Sequence, residues 1–378
     1  MKAGLQRVDR SASAAPSDPM PASRLGILTA GGDCAGLNAV IRGFVCAAAG
    51  RNLEVVGFPE GYEGLLHPTG ARLLTPANTI GIEATGGSVL GATNKGRFQT
   101  RRGPGGQIIL PEPLIRAARQ ALEQNRVGAL VVLGGDGSLR TALQLARAGI
   151  PVVGVPKTID NDLDSTDVTF GFDTAVTRIA EAVATLRTTA ESHRRVLVLE
   201  VMGRHSGWLA LHGAVAGGAE IALLPEVPFD GDRLVRFVKE SERQGQRSLI
   251  AVVAEGARAK AGRQIRRQTS TGDSRLGGIG AHVESLIAAR TGRETRACVL
   301  GHLQRGGAPG AFDRVIGQQF GVRAVELAAD GMFGRMVSCR FGAVTDVALA
   351  DAVNRRRIVC EESQILRHAR ALGIFLGD

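Results

Sequence analysis

A doubly wound α/β fold with mainly parallel sheets is what this sequence predicts, and three observations predict it. Short apolar runs recur along the chain, and each ends in a Gly-rich or polar turn. The runs are β-branched and apolar on both faces, the pattern of strands buried in a parallel sheet. Helix-like stretches, among them Leu114–Asn125 and Ala175–Thr189, lie between the runs, giving the βαβα alternation of such folds. A length of 378 residues allows two domains or one large one.

In chain order, Leu25–Thr29 runs into AGGDCAGLN and Ala129–Leu133 into GGDGS. Pro151–Val155 runs into PKTIDND, and Arg195–Val201 into MGRHSG. Leu249–Ala254 runs into EGA, and Ala297–Leu300 into GHLQRGG. In open α/β sheets ligands bind beyond the carboxyl ends of the strands. One such loop is a plain turn; several on one sheet edge make a site.

The loops carry the residue types of phosphoryl transfer. In AGGDCAGLN, Gly31 and Gly32 let the backbone approach a ligand, and a helix starting near Gly36 points its N–H groups at that space. A tight strand–helix turn explains the same string equally well. In GGDGS, Asp136 stands where a carboxylate holds Mg²⁺ against phosphate oxygens, and Gly137 leaves room for the donor. In PKTIDND, Asp160 and Asp162 stand two apart beside Lys157 and Thr158. Transfer to an alcohol needs a base near the hydroxyl and a metal on the phosphates. Asp160 is the expected base, and Asp162 orients the metal or its waters. Read alone, the same residues make an Asp-rich helix cap. Basic clusters follow at His193-Arg194-Arg195, at Arg204-His205, and at Arg296, His302 and Arg305. Arginine grips a phosphate by two parallel bonds, and Glu255 at another strand end accepts from sugar hydroxyls.

Composition narrows the function classes. The formal charge is +10, yet no long Lys/Arg block appears and aromatics are only 4%. Platforms that stack bases need aromatics, so a small polyanionic substrate is preferred to nucleic acid, with plain Arg bias covering part of the excess. The five cysteines (Cys34, Cys46, Cys298, Cys339 and Cys360) form no C-x-x-C pair. That indicates free thiols in a reducing compartment, no zinc site and a cytoplasmic location. No apolar stretch reaches transmembrane length. Residues 1–23 are rich in Ser, Ala and Pro and lack an apolar h-region. A disordered tail is expected there, with an organelle-targeting or tag-like segment as the alternative.

Taken together, these motifs resemble the phosphofructokinase family, in its mixed ATP/pyrophosphate-type bacterial branch. GGDCAGLNAVIRG, EGYEGL, GGSVLG, GGDGS, PKTIDNDL, GFDTA, SHRRV, EVMGR, AEGA and ETRACVLGHLQRGG match that family's motifs in order. PKTIDND with GHLQRGG is very specific; GGDGS alone also occurs in kinases acting on nucleotides and lipids. The resemblance implies two Rossmann-like domains with the active site in the cleft between them. Residues 24–171 and 304–345 would bind the phosphoryl donor, and 172–303 and 346–378 fructose 6-phosphate.

The implied activity is transfer of the γ-phosphoryl of ATP to the 1-hydroxyl of fructose 6-phosphate. Donor contacts fall to Gly31, Tyr62, Gly135, Asp136, Gly137 and Ser138, with Mg²⁺ at Asp136 and Asp162 as a further candidate. Asp160 is the implied base with Thr158 beside it, and Arg204 stabilises the transferring charge. Met202, Gly203, Arg204, Glu255, His302 and Arg305 hold the sugar phosphate. Arg195 and Arg296 match residues that reach the site from a neighbouring subunit, which implies a homodimer or homotetramer. Gly137 matches the ATP-using enzymes and Lys157 the pyrophosphate-using ones; ATP is expected because the pyrophosphate enzymes carry Asp at position 137. The chain departs from the family at Asn94, where an Arg usually bridges the two substrates, and Lys95 or Arg97 is left to supply that charge. A catalytically idle sugar-phosphate sensor is the reading of another class, and Asp136, Asp160 and Asp162, all present, count against it.

Overall fold

The computed structural model describes residues 24–93, 96–102, 108–260, 262–268 and 274–378. The expected tail over 1–23, Asn94 and Lys95 lie outside the described residues. The chain begins with β1 (Arg24–Thr29), α1 (Leu37–Ala49), β2 (Glu54–Phe58), β3 (Arg72–Leu74), β4 (Arg101–Arg102) and β5 (Ile108–Ile109). There follow α2 (Glu112–Gln124), β6 (Ala129–Gly134), α3 (Asp136–Arg147), β7 (Val152–Pro156) and α4 (Phe172–His193). Next come β8 (Val196–Val201), α5 (Trp208–Gly217), β9 (Ile221–Leu223), α6 (Gly231–Arg243) and β10 (Leu249–Ala254). Beyond them lie β11 (Arg266–Gln268), β12 (Ser274–Leu276), α7 (Ile279–Thr291), β13 (Thr295–Val299) and α8 (Ala311–Ala329). The chain closes with β14 (Arg335–Arg340), β15 (Ala343–Ala348), α9 (Leu349–Ala352) and α10 (Gln364–Ala371).

Two α/β sheets form the frame. The larger has seven strands in the order β15-β14-β7-β6-β1-β2-β3. Its strands are parallel except β3 and β15, which pair antiparallel at the two edges. β15 runs past the boundary expected at 345. The smaller sheet has the order β13-β8-β10-β9 and is parallel throughout. Side chains alternate across each strand, so each sheet feeds two cores. Ile27, Val131, Leu199 and Val252 face a shared middle layer in which α1, α4, α5 and α8 contribute Phe44, Ile179, Leu211 and Phe320. Leu28, Leu130 and Val132 face outward onto Leu122 of α2 and Leu139 of α3. Val198 and Val253 face outward onto Val238 of α6 and Val283 of α7. Among the described residues no helix is long and apolar enough to cross a membrane.

Three elements differ from their expected form. β13, read as a buried strand, is an edge strand with Val299 62% exposed. α4 begins earlier than Ala175 because a buried Asp313 from α8 caps it. Its carboxylate accepts from the Gly171 and Thr174 N–H groups, each at 2.8 Å, and from the Thr174 hydroxyl at 2.6 Å. Arg355–Asp378, which the sequence predicts as a helix with a basic start, is helical only over Gln364–Ala371.

Candidate active site

β1, β6 and β7 are adjacent and parallel, so the loops after them open at one sheet edge. A cavity of about 370 Å³ lies there, bordered by Gly31, Tyr62, Gly135–Ser138 and Lys157. Gly31 adopts φ +81°, and a Cβ on it would stand 3.1 Å from Ser138 Oγ and 3.3 Å from Lys157 Nζ. Gly135 caps α3, so the unpaired N–H groups of that helix start at the cavity wall. A Cβ on Gly137 would have nothing within 4 Å. Tyr62 donates its hydroxyl to the Ser138 carbonyl at 2.7 Å, and its ring stacks on Phe98 at 5.5 Å. The start of α1, expected to face this space, is not among the residues that border the cavity. A Cβ on Gly36 would meet Phe170 and the Asp313 carbonyl. The helix end that borders the cavity is that of α3.

The 157–171 loop brings the carboxylates together. Thr158 Oγ1 accepts from the Asp160 N–H at 3.0 Å and donates to Asp162 Oδ1 at 3.3 Å. Asp160 Oδ1 is buried and has no hydrogen-bond partner among the described residues. Burial pushes the Asp160 carboxyl above the usual range, opposed by the charges of Arg305, Lys157 and Arg356. Asp162 is pushed up to about 6, first by burial and then by the negative charge of Asp160, with Asp136 adding to it. Asp136 itself is ion-paired through both oxygens, to Arg140 at 2.8 Å and Arg356 at 3.2 Å. Carboxylates that disfavour one another's charge, with one oxygen unpartnered, fit a divalent cation. Mg²⁺ ordinarily takes one or two carboxylates and completes its shell with phosphate and water. Lys157 is buried and donates to the Gly32 carbonyl. Burial, and then Arg305, lower its pKa.

A second cavity, of about 440 Å³, shares Gly31 and Gly32 with the first and adds Met202, His302 and Arg305. Met202 and Gly203 follow β8. Gln304 fixes that turn by accepting from the Met202 N–H at 3.2 Å, and Gly203 takes φ +132°. Arg305 donates to the Asp33 carbonyl at 3.0 Å. Glu255, just after β10, is pushed up to about 7 by burial and by the charges of Asp160 and Glu200, while Arg204 and Arg305 pull it back. Arg204 is exposed. Ser206 ties this loop to the first by donating to the Asp160 carbonyl at 3.1 Å.

Three expected residues stand apart. Arg195 and Arg296 lie at the amino ends of β8 and β13, both ion-paired with Glu294 at 2.8 and 3.0 Å. Arg195 is roughly 20 Å along β8 from Met202. Arg97 turns to Glu63 at 2.9 Å and does not line the cavity. Arg356, Phe98 and Gln304 were not anticipated. Nothing in the basic run Arg355–Arg357 distinguishes it from a solvated surface stretch until the fold brings it to Asp136.

Residues 24–328 match the family model for phosphofructokinase. The chain belongs to the phosphofructokinase family. It is 46% identical over 355 residues to the ATP-dependent 6-phosphofructokinase of Chloroflexus aurantiacus, covering 94% of this chain and 98% of that one. It is 42% identical over 359 residues to ATP-dependent 6-phosphofructokinase 1 of Synechocystis, covering 94% and 98% of the two. Among solved structures, phosphofructokinase from Saccharomyces cerevisiae superposes with a TM-score of 0.74 at 29% identity. That match takes in 88% of this chain and 45% of the yeast chain, so this chain spans under half of the yeast length. The pair of α/β sheets with cavities between their loops is thus the phosphofructokinase fold.

Proposed function

We propose that this chain is a kinase that moves the γ-phosphoryl group of ATP to the 1-hydroxyl of fructose 6-phosphate, giving fructose 1,6-bisphosphate and ADP in glycolysis. The observation that carries the reading is Asp160, a buried carboxylate with an unpartnered oxygen, electrostatically coupled to Lys157 of the first cavity and Arg305 of the second. The relatives' ATP-dependent names support the same reaction.

In this reading Asp160 takes the proton of the 1-hydroxyl as that oxygen attacks the γ-phosphorus and the bond to ADP breaks in line. Its raised pKa makes it a stronger base than an exposed aspartate. Thr158 positions it by accepting from its N–H. Gly31, Tyr62 and the Gly135–Ser138 turn hold the donor, with the α3 N–H groups at its phosphates. Lys95 or Arg97 supplies charge at the donor, in the case of Arg97 by leaving its ion pair with Glu63. Arg204 stabilises the charge of the transferring group. Met202, Gly203, Glu255, His302 and Arg305 hold the sugar phosphate. Mg²⁺ neutralises the donor's phosphates when bound, and Asp136, with Asp162 near it, would hold it.

Arg195 and Arg296 complete the site from a second subunit of a homodimer or homotetramer. The open edge at β13 and the exposed Val299, Leu303, Phe312 and Val315 support such an assembly. Residues 24–171 and 304–345 form the donor domain and 172–303 and 346–378 the fructose 6-phosphate domain, with approximate boundaries and side chains of both domains entering the cleft, in the cytoplasm.

The open space at Gly137 supports ATP, since a carboxylate there would stand against the donor's phosphates. Lys157 in the same cavity favours the second reading, with pyrophosphate as donor. The test supplies fructose 6-phosphate and Mg²⁺ with ATP, ADP or pyrophosphate separately and follows fructose 1,6-bisphosphate. Product with ATP alone is expected. Product with pyrophosphate alone overturns the donor, and product with none overturns the acceptor.

A further inference from the structure

Residues 353–360 run as a strap between the loops of the two sheets, and the strap's backbone is firmly tied. Arg356 pairs with Leu163 as an isolated antiparallel bridge. The Arg357 N–H donates to the Asp162 carbonyl, and Trp208 Nε1 donates to the Arg357 carbonyl, both at 3.0 Å. The Val359 N–H donates to Glu226 at 2.9 Å. The Arg357 side chain is a further anchor, donating to the Asp167 carbonyl at 3.0 Å and lying 4.6 Å over the Trp208 ring.

The Arg356 side chain does none of this anchoring. It is 41% exposed, and its one hydrogen bond among the described residues goes to Asp136 Oδ2 at 3.2 Å. Asp136 already has Arg140 on its other oxygen, so a second cation is not needed to keep that carboxylate paired. Three carboxylates feel the Arg356 charge, since it also acts on Asp160 and Asp162. A guanidinium has five N–H donors in a fork matched to phosphate oxygens. Here most of that fork is unused, on a well-anchored backbone, beside the glycine turn and helix N-terminus that border the first cavity.

We propose that Arg356 is a phosphate-binding residue for the donor, held by Asp136 in the free protein and turned to the donor's distal phosphates when the cavity fills. The inference rests on the donor site proposed above.

Calorimetric titration of ATP and of AMP into wild type, Arg356→Gln and Arg356→Lys tests it, with melting temperatures alongside. Loss of one hydrogen bond to a charged group weakens ATP binding about tenfold or more. Arg356→Gln is therefore expected to lose that much ATP affinity, to bind AMP as wild type does and to melt as wild type does. Arg356→Lys keeps the charge but not the fork and recovers part of the ATP affinity. In turnover the glutamine variant shows a lower kcat with an unchanged KM for fructose 6-phosphate. Wild-type ATP affinity in Arg356→Gln overturns the proposal, and so does equal weakening of ATP and AMP, the mark of a structural role. Failure of wild type to phosphorylate fructose 6-phosphate would overturn the kinase reading instead, while the comparison of ATP with AMP still decides the role of Arg356.

Discussion

A carboxylate that accepts a proton near neutral pH has to sit where water does not fully solvate its charge, and burial gives Asp160 that environment. Asp160→Asn keeps the shape and removes the base. Turnover is expected to fall at least ~10² while fructose 6-phosphate binding stays close to wild type; near-normal turnover would remove Asp160 from the role. Glu255 shows what such burial does to stability. Its carboxyl moves from 4.5 to about 7 on folding, so between those values the folded chain binds the proton more tightly than the unfolded one. Stability from this group is complete below pH 4.5 and is lost as pH rises through about 7. Glu255→Gln carries no charge at any pH. It should melt above wild type at pH 8, with the difference closing at pH 4.5, and bind the sugar phosphate less well. A gap in melting temperature that ignores pH would show that the Glu255 charge is not disfavoured. Gly31, Asp136, Asp160 and Arg305 were legible from sequence because each lies a few positions beyond a recognisable strand. Arg356 was not, since its contact with Asp136 spans 220 positions and lies in a stretch with no periodicity.

Local pattern also explains which elements were read well. Strands buried on both faces are uniformly apolar, so β1, β6, β7, β8 and β10 stand out. The run Ala297–Leu300 is as apolar as they are, but β13 has a neighbour on one side only, and sheet order is not a local property. The capping of α4 by Asp313 is likewise a contact between distant segments, invisible at Gly171. Glycines in this chain are not confined to turns, and Gly43 and Gly321 lie inside the helices α1 and α8. A Cβ on Gly43 of α1 would stand 2.4 Å from the Gln318 carbonyl oxygen of α8, and one on Gly321 would stand 2.3 Å from that of Val40. The two backbones meet, and neither can yield as a side chain does. Gly43→Ala is expected to destabilise by about 1–3 kcal/mol, despite the better helix propensity of alanine. Gly137→Ala is the matched control, because its Cβ meets nothing within 4 Å and only the propensity gain remains. Chemical denaturation of both variants measures the difference, and a neutral Gly43→Ala would mean the helices part at no cost.

Arg195 and Arg296 cannot serve the site of their own chain without crossing the length of the smaller sheet. They stand at its amino edge with Glu294, while Met202, Glu255 and the 301–305 turn stand at its carboxyl edge. Either these arginines are surface ion pairs, which contribute little, or they complete a site on another copy. Mixing two inactive variants separates the cases. Asp160→Asn lacks the base but keeps the arginines, and Arg296→Ala keeps the base but lacks one arginine. If sites are shared, a hybrid assembled from the two contains a site with an intact base from one chain and an intact Arg296 from the other. Co-refolded hybrids are then expected to regain activity that neither parent assembly has, and to do so only where sizing shows mixed oligomers. A hybrid no more active than the sum of its parents would place Arg296 outside the catalytic unit and leave each chain to work with its own residues.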